Sequence, residues 1–191
     1  MDALDDAELL RAYAAGDLRA FEALYARHKG PLFRYLLRQV RQPALAEDLF
    51  QEVWSRVIGA RDRYQARAKF QTYLFTIAHH CCVDHWRRSS ARGGDAFDSG
   101  PIHDDLLPAP AQDGPERRHG NDELRSKLRN ALDLLPREQR DVFLLYEESG
   151  LSLEQIAAVT GVGMETAKSR LRYAVGKLRA TLESTHAEHA T

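Results

Sequence analysis

The sequence predicts an all-α fold of two small helical domains joined by a flexible acidic linker. Three observations carry that expectation. Every well-patterned segment repeats its apolar residues with a helical period, and no run alternates apolar and polar residues as a half-buried strand would. The 191 residues suffice for one domain or two small ones. Charge is spread unevenly: counting Lys and Arg against Asp and Glu, residues 1–92 carry +4, residues 93–120 carry −4 and residues 121–191 carry −1.

In the first domain, residues 1–92, helices are expected over about Asp6 to Ala15, Asp17 to His28, Pro31 to Arg41, Pro43 to Ala60 and Phe70 to Ser89. Pro31 and Pro43 suit first-turn positions, where the missing N–H has no partner to lose, and Gly16 and Gly30 suit stops. Residues 93–120 are rich in Gly, Pro and Asp and lack a sustained apolar face, which makes them a linker. The second domain, residues 121–191, opens with Leu124, Leu128, Ala131, Leu132 and Leu135 along one helix face, ended by Pro136. Arg137 to Glu148 forms the next helix, closed by Ser149 and Gly150.

The chain then gives its sharpest local signal. Ser152 followed by Gln155 makes a capping box, so a short helix starts at Leu153. Gly161 to Gly163 supplies a tight turn, and a long helix opens near Met164 with Ala167, Leu171, Ala174, Val175, Leu178 and Leu182 on its buried face. This is a helix-turn-helix. Thr166, Lys168, Ser169, Arg170, Arg172 and Tyr173 are left on or near the outer side, and such groups bond phosphates and base edges in a major groove. Periodicity alone leaves an ordinary solvated helix face as an equal reading.

In the first domain, Ala46, Phe50, Val53, Trp54 and Val57 form one apolar face, while Asp48, Gln51, Glu52 and Ser55 fall opposite. Leu45 and Leu49 lie beside this acidic stripe. They can serve as apolar anchors rimmed by carboxylates, the arrangement of a protein interface, or pack on a neighbouring helix. Further on, Phe70, Leu74, Ile77, Ala78 and Cys81 trace a buried face, and Thr72, Thr76, His79, Val83 and Arg87 trace the opposite one. Arg61, Arg63, Tyr64, Arg67 and Lys69 precede it as a basic and aromatic cluster, of the kind that grips single strands and stacks unpaired bases. Tyr64, Phe70 and Tyr73 also suit a core.

Composition excludes other classes. No stretch approaches the roughly 20 apolar residues of a membrane span, and the acidic start MDALDDAELL has no basic n-region, so a cytoplasmic protein is expected. The two cysteines, Cys81 and Cys82, are adjacent and poorly placed for a structural disulfide, which fits a reducing compartment. There is no glycine-rich phosphate loop, nucleophile elbow or spaced carboxylate pair, so neither enzymatic activity nor a cofactor is expected. Cys81 and His85 lie one turn apart, but Cys81 sits on the apolar stripe and no second ligand pair follows, so no metal is expected.

Two motif sets, in order and at the proper spacing, resemble the extracytoplasmic-function (ECF) sigma factors of bacterial RNA polymerase. AEDLFQEVW is similar to the segment that docks on the clamp helices of the polymerase largest subunit, which implies contacts through Asp48, Gln51 and Glu52. FQTYLFTIA and the closing DHWRR resemble the region that recognises and melts the minus-ten element, with Tyr73 where Trp is customary. TAKSRLRYAVGKLR is similar to the minus-thirty-five-binding half, and it implies promoter contact by Lys168, Ser169, Arg172 and Tyr173. The resemblance implies core polymerase as partner through its clamp helices and flap, promoter DNA as ligand, and a cognate anti-sigma factor, usually membrane-anchored, as inhibitor. It also suggests that Asp95, Asp98, Asp104, Asp105 and Asp113 of the linker occupy the positively lined RNA channel of the polymerase. The residues admit one rival, a stand-alone helix-turn-helix regulator with an N-terminal sensing or dimerisation domain.

Overall fold

A computed structural model describes residues 4–60, 69–91 and 126–188, with side chains described as far as residue 183. All regular structure among them is helical. Helices α1 (Asp6–Ala14), α2 (Leu18–Val40), α3 (Pro43–Gly59) and α4 (Phe70–Ala91) build the N-terminal part. Helices α5 (126–133), α6 (Arg137–Ser149), α7 (Leu153–Thr160) and α8 (Met164–Glu188) build the C-terminal part. The acidic linker of the sequence reading lies outside the described residues.

Asp5 caps α1 in a reciprocal box: Glu8 N–H donates to Asp5 Oδ1 at 2.7 Å, and Asp5 N–H donates to Glu8 Oε2 at 2.9 Å. The first correction concerns α2. The sequence reading breaks it at Gly30 and Pro31, yet one helix runs from Leu18 to Val40 with Pro31 inside. A proline there loses one backbone bond and crowds the preceding turn, at about 3 kcal/mol. Tertiary packing outweighs that cost, because Leu24, His28, Leu32, Tyr35, Leu36 and Gln39 form an unbroken buried stripe across the site.

The N-terminal core includes an aromatic cluster between α2 and α3. Phe21 meets Trp54 edge-on with centroids 5.7 Å apart, and Tyr25 lies 5.0 Å from the same indole. Phe33 meets Phe50 at 5.8 Å.

In the C-terminal part, Gly150 (φ 61°) and Gly161 (φ 68°) end α6 and α7 in the left-handed region, where a side chain would be strained. Ala167, Ala174 and Leu178 of α8 are buried as expected, whereas Val175 is 39% exposed because it lies beside the core stripe rather than on it.

The two parts touch. Helix α6 packs on α2, and α6 and α7 both pack on α4.

Candidate polymerase and nucleic-acid interfaces

Helix α3 presents Asp48, Gln51 and Ser55 to solvent, with Glu52 half-buried beside them. Arg56 Nη2 pairs with Glu52 Oε1 at 2.6 Å and lies 3.9 Å from Asp84 Oδ2 of α4, which anchors one end of the acidic stripe. Leu45 is half-buried against the core. Leu49 requires a correction: it is only 3% exposed, because it shares its face with Ala46 and Val53 and so packs inward. Ile58, one turn beyond Ser55, is an apolar side chain 43% exposed on that side of the helix.

Of the minus-ten candidates, Arg61, Arg63, Tyr64 and Arg67 lie outside the described residues. Lys69 is exposed just before α4, and Arg87 is exposed near its end. Tyr73 is half-buried with its ring 6.5 Å from Phe70, and burial raises its phenol above the ordinary value.

Of the stripe expected to face outward, Thr72, Thr76 and His79 do not, whereas Arg87 does. Thr72 is buried and its Oγ1 accepts from Gln155 Nε2 of α7 at 2.9 Å. Thr76 is half-buried, its hydroxyl donating to the Thr72 carbonyl at 2.7 Å. His79 Nδ1 lies 2.9 Å from Asp141 Oδ2 of α6. The physical reason is that α4 is sandwiched: one face packs into its own domain, and the polar face lies under α6 and α7.

Asp141, 5% exposed, is the centre of this contact. Tyr35 Oη donates to its Oδ1 at 2.7 Å and Gln39 Nε2 donates to the same oxygen at 2.6 Å. Burial, and then the adjoining Asp141 charge, push the Tyr35 phenol well above its usual value, so it remains a donor. Around this centre, Arg34 Nε meets Glu148 Oε2 at 2.7 Å and Arg38 pairs with the other Glu148 oxygen. Arg41 Nη2 meets Asp133 Oδ1 at 2.6 Å, Gln71 donates to the Ser149 carbonyl, and the Arg137 guanidinium sits 4.4 Å from the centre of the Trp86 ring. Sequence patterning singles out none of Tyr35, Gln39, Asp141 or Glu148. The signal was present in α6, where charged Arg140 and Asp141 occupy buried positions next to Val142, Leu144 and Leu145.

On α8, Thr166, Lys168, Arg172 and Tyr173 are exposed, while Ser169 and Arg170 are half-buried. The Ser169 hydroxyl donates to the Glu165 carbonyl at 2.7 Å, and Lys168 Nζ lies 3.9 Å from Glu165 Oε1. The Arg172 guanidinium sits 5.1 Å from the centre of the Tyr173 ring, a flat cationic surface suited to phosphate or a base edge. Behind this face is a groove of about 360 Å³ lined by Leu128, Phe143, Val175, Leu178 and Leu182, with Arg179 and Glu183 beside them. Cys81 and Cys82 are buried free thiols. Among the described residues no helix is long and apolar enough to cross a membrane.

Known sequences decide what carries these surfaces. Residues 24–92 match Sigma-70 region 2, and residues 125–178 match Sigma-70, region 4. The RNA polymerase sigma factor CarQ of Myxococcus xanthus is 35% identical over 173 residues, spanning 91% of this chain and 95% of CarQ. The ECF RNA polymerase sigma factor SigL of Mycobacterium tuberculosis is 36% identical over 176 residues, spanning 89% of this chain and 93% of SigL. The chain belongs to the ECF family of RNA polymerase sigma factors. On this sigma factor, the region 2 match runs from within α2 through α4 and the region 4 match ends at Leu178 in α8. Two solved structures share its fold. CnrH, in complex with the cytosolic domain of CnrY, superposes with a TM-score of 0.68 at 22% identity, covering 94% of this chain and 97% of CnrH. The sigma factor RpoE, in complex with the anti-sigma factor NepR from Bartonella quintana, gives 0.69 at 24% identity, covering 85% of this chain and 96% of RpoE.

Proposed function

We propose that this ECF sigma factor acts through three separate surfaces, within residues 1–92 and 121–191, that bring core RNA polymerase to a promoter and open it. The α3 stripe of Asp48, Gln51, Glu52 and Ser55 docks on the clamp helices, with Leu45 and Ile58 as apolar anchors and Leu49 fixing the helix from beneath. Arg61, Arg63, Tyr64, Arg67 and Lys69, with Thr72, Tyr73, Thr76, His79 and Arg87, capture the minus-ten strand. A base can be read on its pairing edge only once it has left the stack, so a basic segment rich in aromatic groups is the appropriate chemistry. Thr166, Lys168, Ser169, Arg170, Arg172 and Tyr173 enter the minus-thirty-five major groove, and the neighbouring apolar groove receives the polymerase flap.

A cytoplasmic setting follows from the polymerase itself. A cognate anti-sigma factor is the expected inhibitor, in line with the complex of RpoE with the anti-sigma factor NepR, and its anchoring in the membrane is a separate part of the proposal. The observation that carries the reading is the pairing on one chain of an exposed acidic stripe on α3 with an exposed cationic face on α8.

Run-off transcription with purified core polymerase tests it. Addition of the protein should give promoter-specific transcripts, and Asp48→Lys should abolish them while duplex binding by the C-terminal helix-turn-helix persists. Specific duplex binding with no association to core polymerase would favour a stand-alone regulator instead.

A further inference from the structure

The outward side of α8 carries one residue that its cationic character does not explain. Glu165, Lys168, Ser169 and Arg172 follow one another at i, i+3, i+4 and i+7, on the side of the helix away from the buried Ala167, Ala174 and Leu178. Glu165 is the first member of that stripe, and its side chain is 84% exposed. We propose that Glu165 is a specificity-determining residue, which selects a cytosine in the minus-thirty-five element by accepting a hydrogen bond from the cytosine N4 amino group. The inference rests on the assignment of α8 to the minus-thirty-five major groove and names the base that one position of that groove must hold.

The turn places Glu165 where bases are read. Gly161 ends α7 at φ 68°, and Ala167 N–H donates to the Gly163 carbonyl at 3.0 Å, so α8 winds from Gly163 and Glu165 lies in its first turn. In a helix-turn-helix the N-terminal residues of the second helix are the ones that contact base edges. An acid in a first turn also complements the helix dipole. That role is met on any side of the helix, whereas Glu165 stands in line with Lys168 and Arg172.

The chemistry of the groove then decides which base it tolerates. Duplex DNA carries one negative charge per about 1.7 Å of axis, so a carboxylate brought among the phosphates is repelled unless a donor meets it. A carboxylate only accepts. Guanine offers the acceptors N7 and O6, and thymine offers O4 and a methyl group, so both oppose it. Adenine sets its N7 acceptor beside its amino group, while cytosine presents N4 with no acceptor of its own alongside. Cytosine is therefore the base that fits. Lys168 Nζ, 3.9 Å from Glu165 Oε1, offsets part of the negative charge, and the exposure of both side chains keeps that pairing weak enough for the carboxylate to turn to a base. The Ser169 hydroxyl donates to the Glu165 backbone carbonyl, not to its carboxylate.

The test is selection from a duplex library randomised across the minus-thirty-five element, with the full chain assembled on core polymerase and, in a parallel arm, with the full chain alone. The wild type should fix cytosine at one position. Glu165→Ala should lower the preference at that position by about tenfold, leaving it nearly degenerate while the other positions keep theirs. Glu165→Gln should move the preference from cytosine to adenine, because an amide pairs with adenine N6 and N7. Glu147→Gln removes one charge from an exposed site on α6 and should change no preference, which separates base reading from a general change of charge. A selected site with no cytosine that responds to the Glu165 variants overturns the inference and leaves the assignment of α8 standing. Failure of the wild type to enrich any sequence in either arm overturns both.

Discussion

Replacing Glu148 with Gln should loosen the contact between the domains by about 2 kcal/mol. The Glu148 side chain is 6% exposed and each carboxylate oxygen faces a different arginine of α2, Arg34 or Arg38. A hydrogen bond to a charged group contributes about 1.5–3 kcal/mol when its partners are desolvated. The two arginine side chains are 31% and 27% exposed, so water partly re-solvates them once the acceptor is gone. That brings the value toward about 1 kcal/mol per bond. Their sum corresponds to a roughly thirtyfold weakening of the inter-domain contact, since each 1.4 kcal/mol is a factor of ten. The assay is a double-mutant cycle of Glu148→Gln and Arg38→Gln, read by inter-domain energy transfer. The double variant should lose less than the sum of the singles, because the second change finds its partner already removed. Strict additivity, or no loss in Glu148→Gln, would refute the ion-pair reasoning.

Three further outcomes are expected. Cys81 and Cys82 should resist thiol reagents in the native protein: both are buried, burial raises the Cys81 thiol to about 11 and raises Cys82 as well, and only thiolate reacts. Rapid modification near neutral pH, before unfolding, would contradict their place in the core. Gly161→Ala should cost about 1–2 kcal/mol in urea unfolding of the C-terminal domain, since the strain lies in the left-handed backbone at φ 68° and an added Cβ meets nothing within 4 Å; an unchanged midpoint would show that the turn relaxes. Lys168→Ala and Arg172→Ala should each weaken minus-thirty-five duplex binding and flatten the slope of log affinity against log salt by about 0.9 if that side chain neutralises one phosphate. A slope that does not move would assign that side chain to some other role.

Much of the architecture was legible because the cores are built from regular spacing. The Ser152 and Gln155 box, the glycine turn at Gly161 and the buried Ala167, Ala174 and Leu178 lie where local rules put them. The break proposed at Pro31 did not appear, because a local rule prices one residue while the stripe from Leu24 to Gln39 acts over the whole helix. Leu49 was ambiguous for a similar reason. On a helix with acids nearby, a leucine can be anchor or core, and only the neighbouring helices settle which.

Helix α4 shows why the candidate site was harder to read than the fold. Periodicity assumes that a polar face meets water, and the Thr72, Thr76 and His79 face is polar, so periodicity assigns it to solvent and nucleic acid. A polar helix face can be buried under another domain only if whatever covers it supplies hydrogen-bonding groups of its own. Gln155 meets that condition with unusual economy: its carbonyl oxygen completes the α7 capping box at 2.9 Å from Ser152 N, while its amide nitrogen donates to Thr72. Asp141 meets it as well, beside His79 and accepting from Tyr35 and Gln39. The requirement runs back to the sequence, for it demands charged or amide groups at positions where α6 and α7 would otherwise be free to carry leucine. A buried carboxylate on the apolar side of a helix is therefore the mark to look for when one domain covers the polar face of another, and in this chain that mark is Asp141.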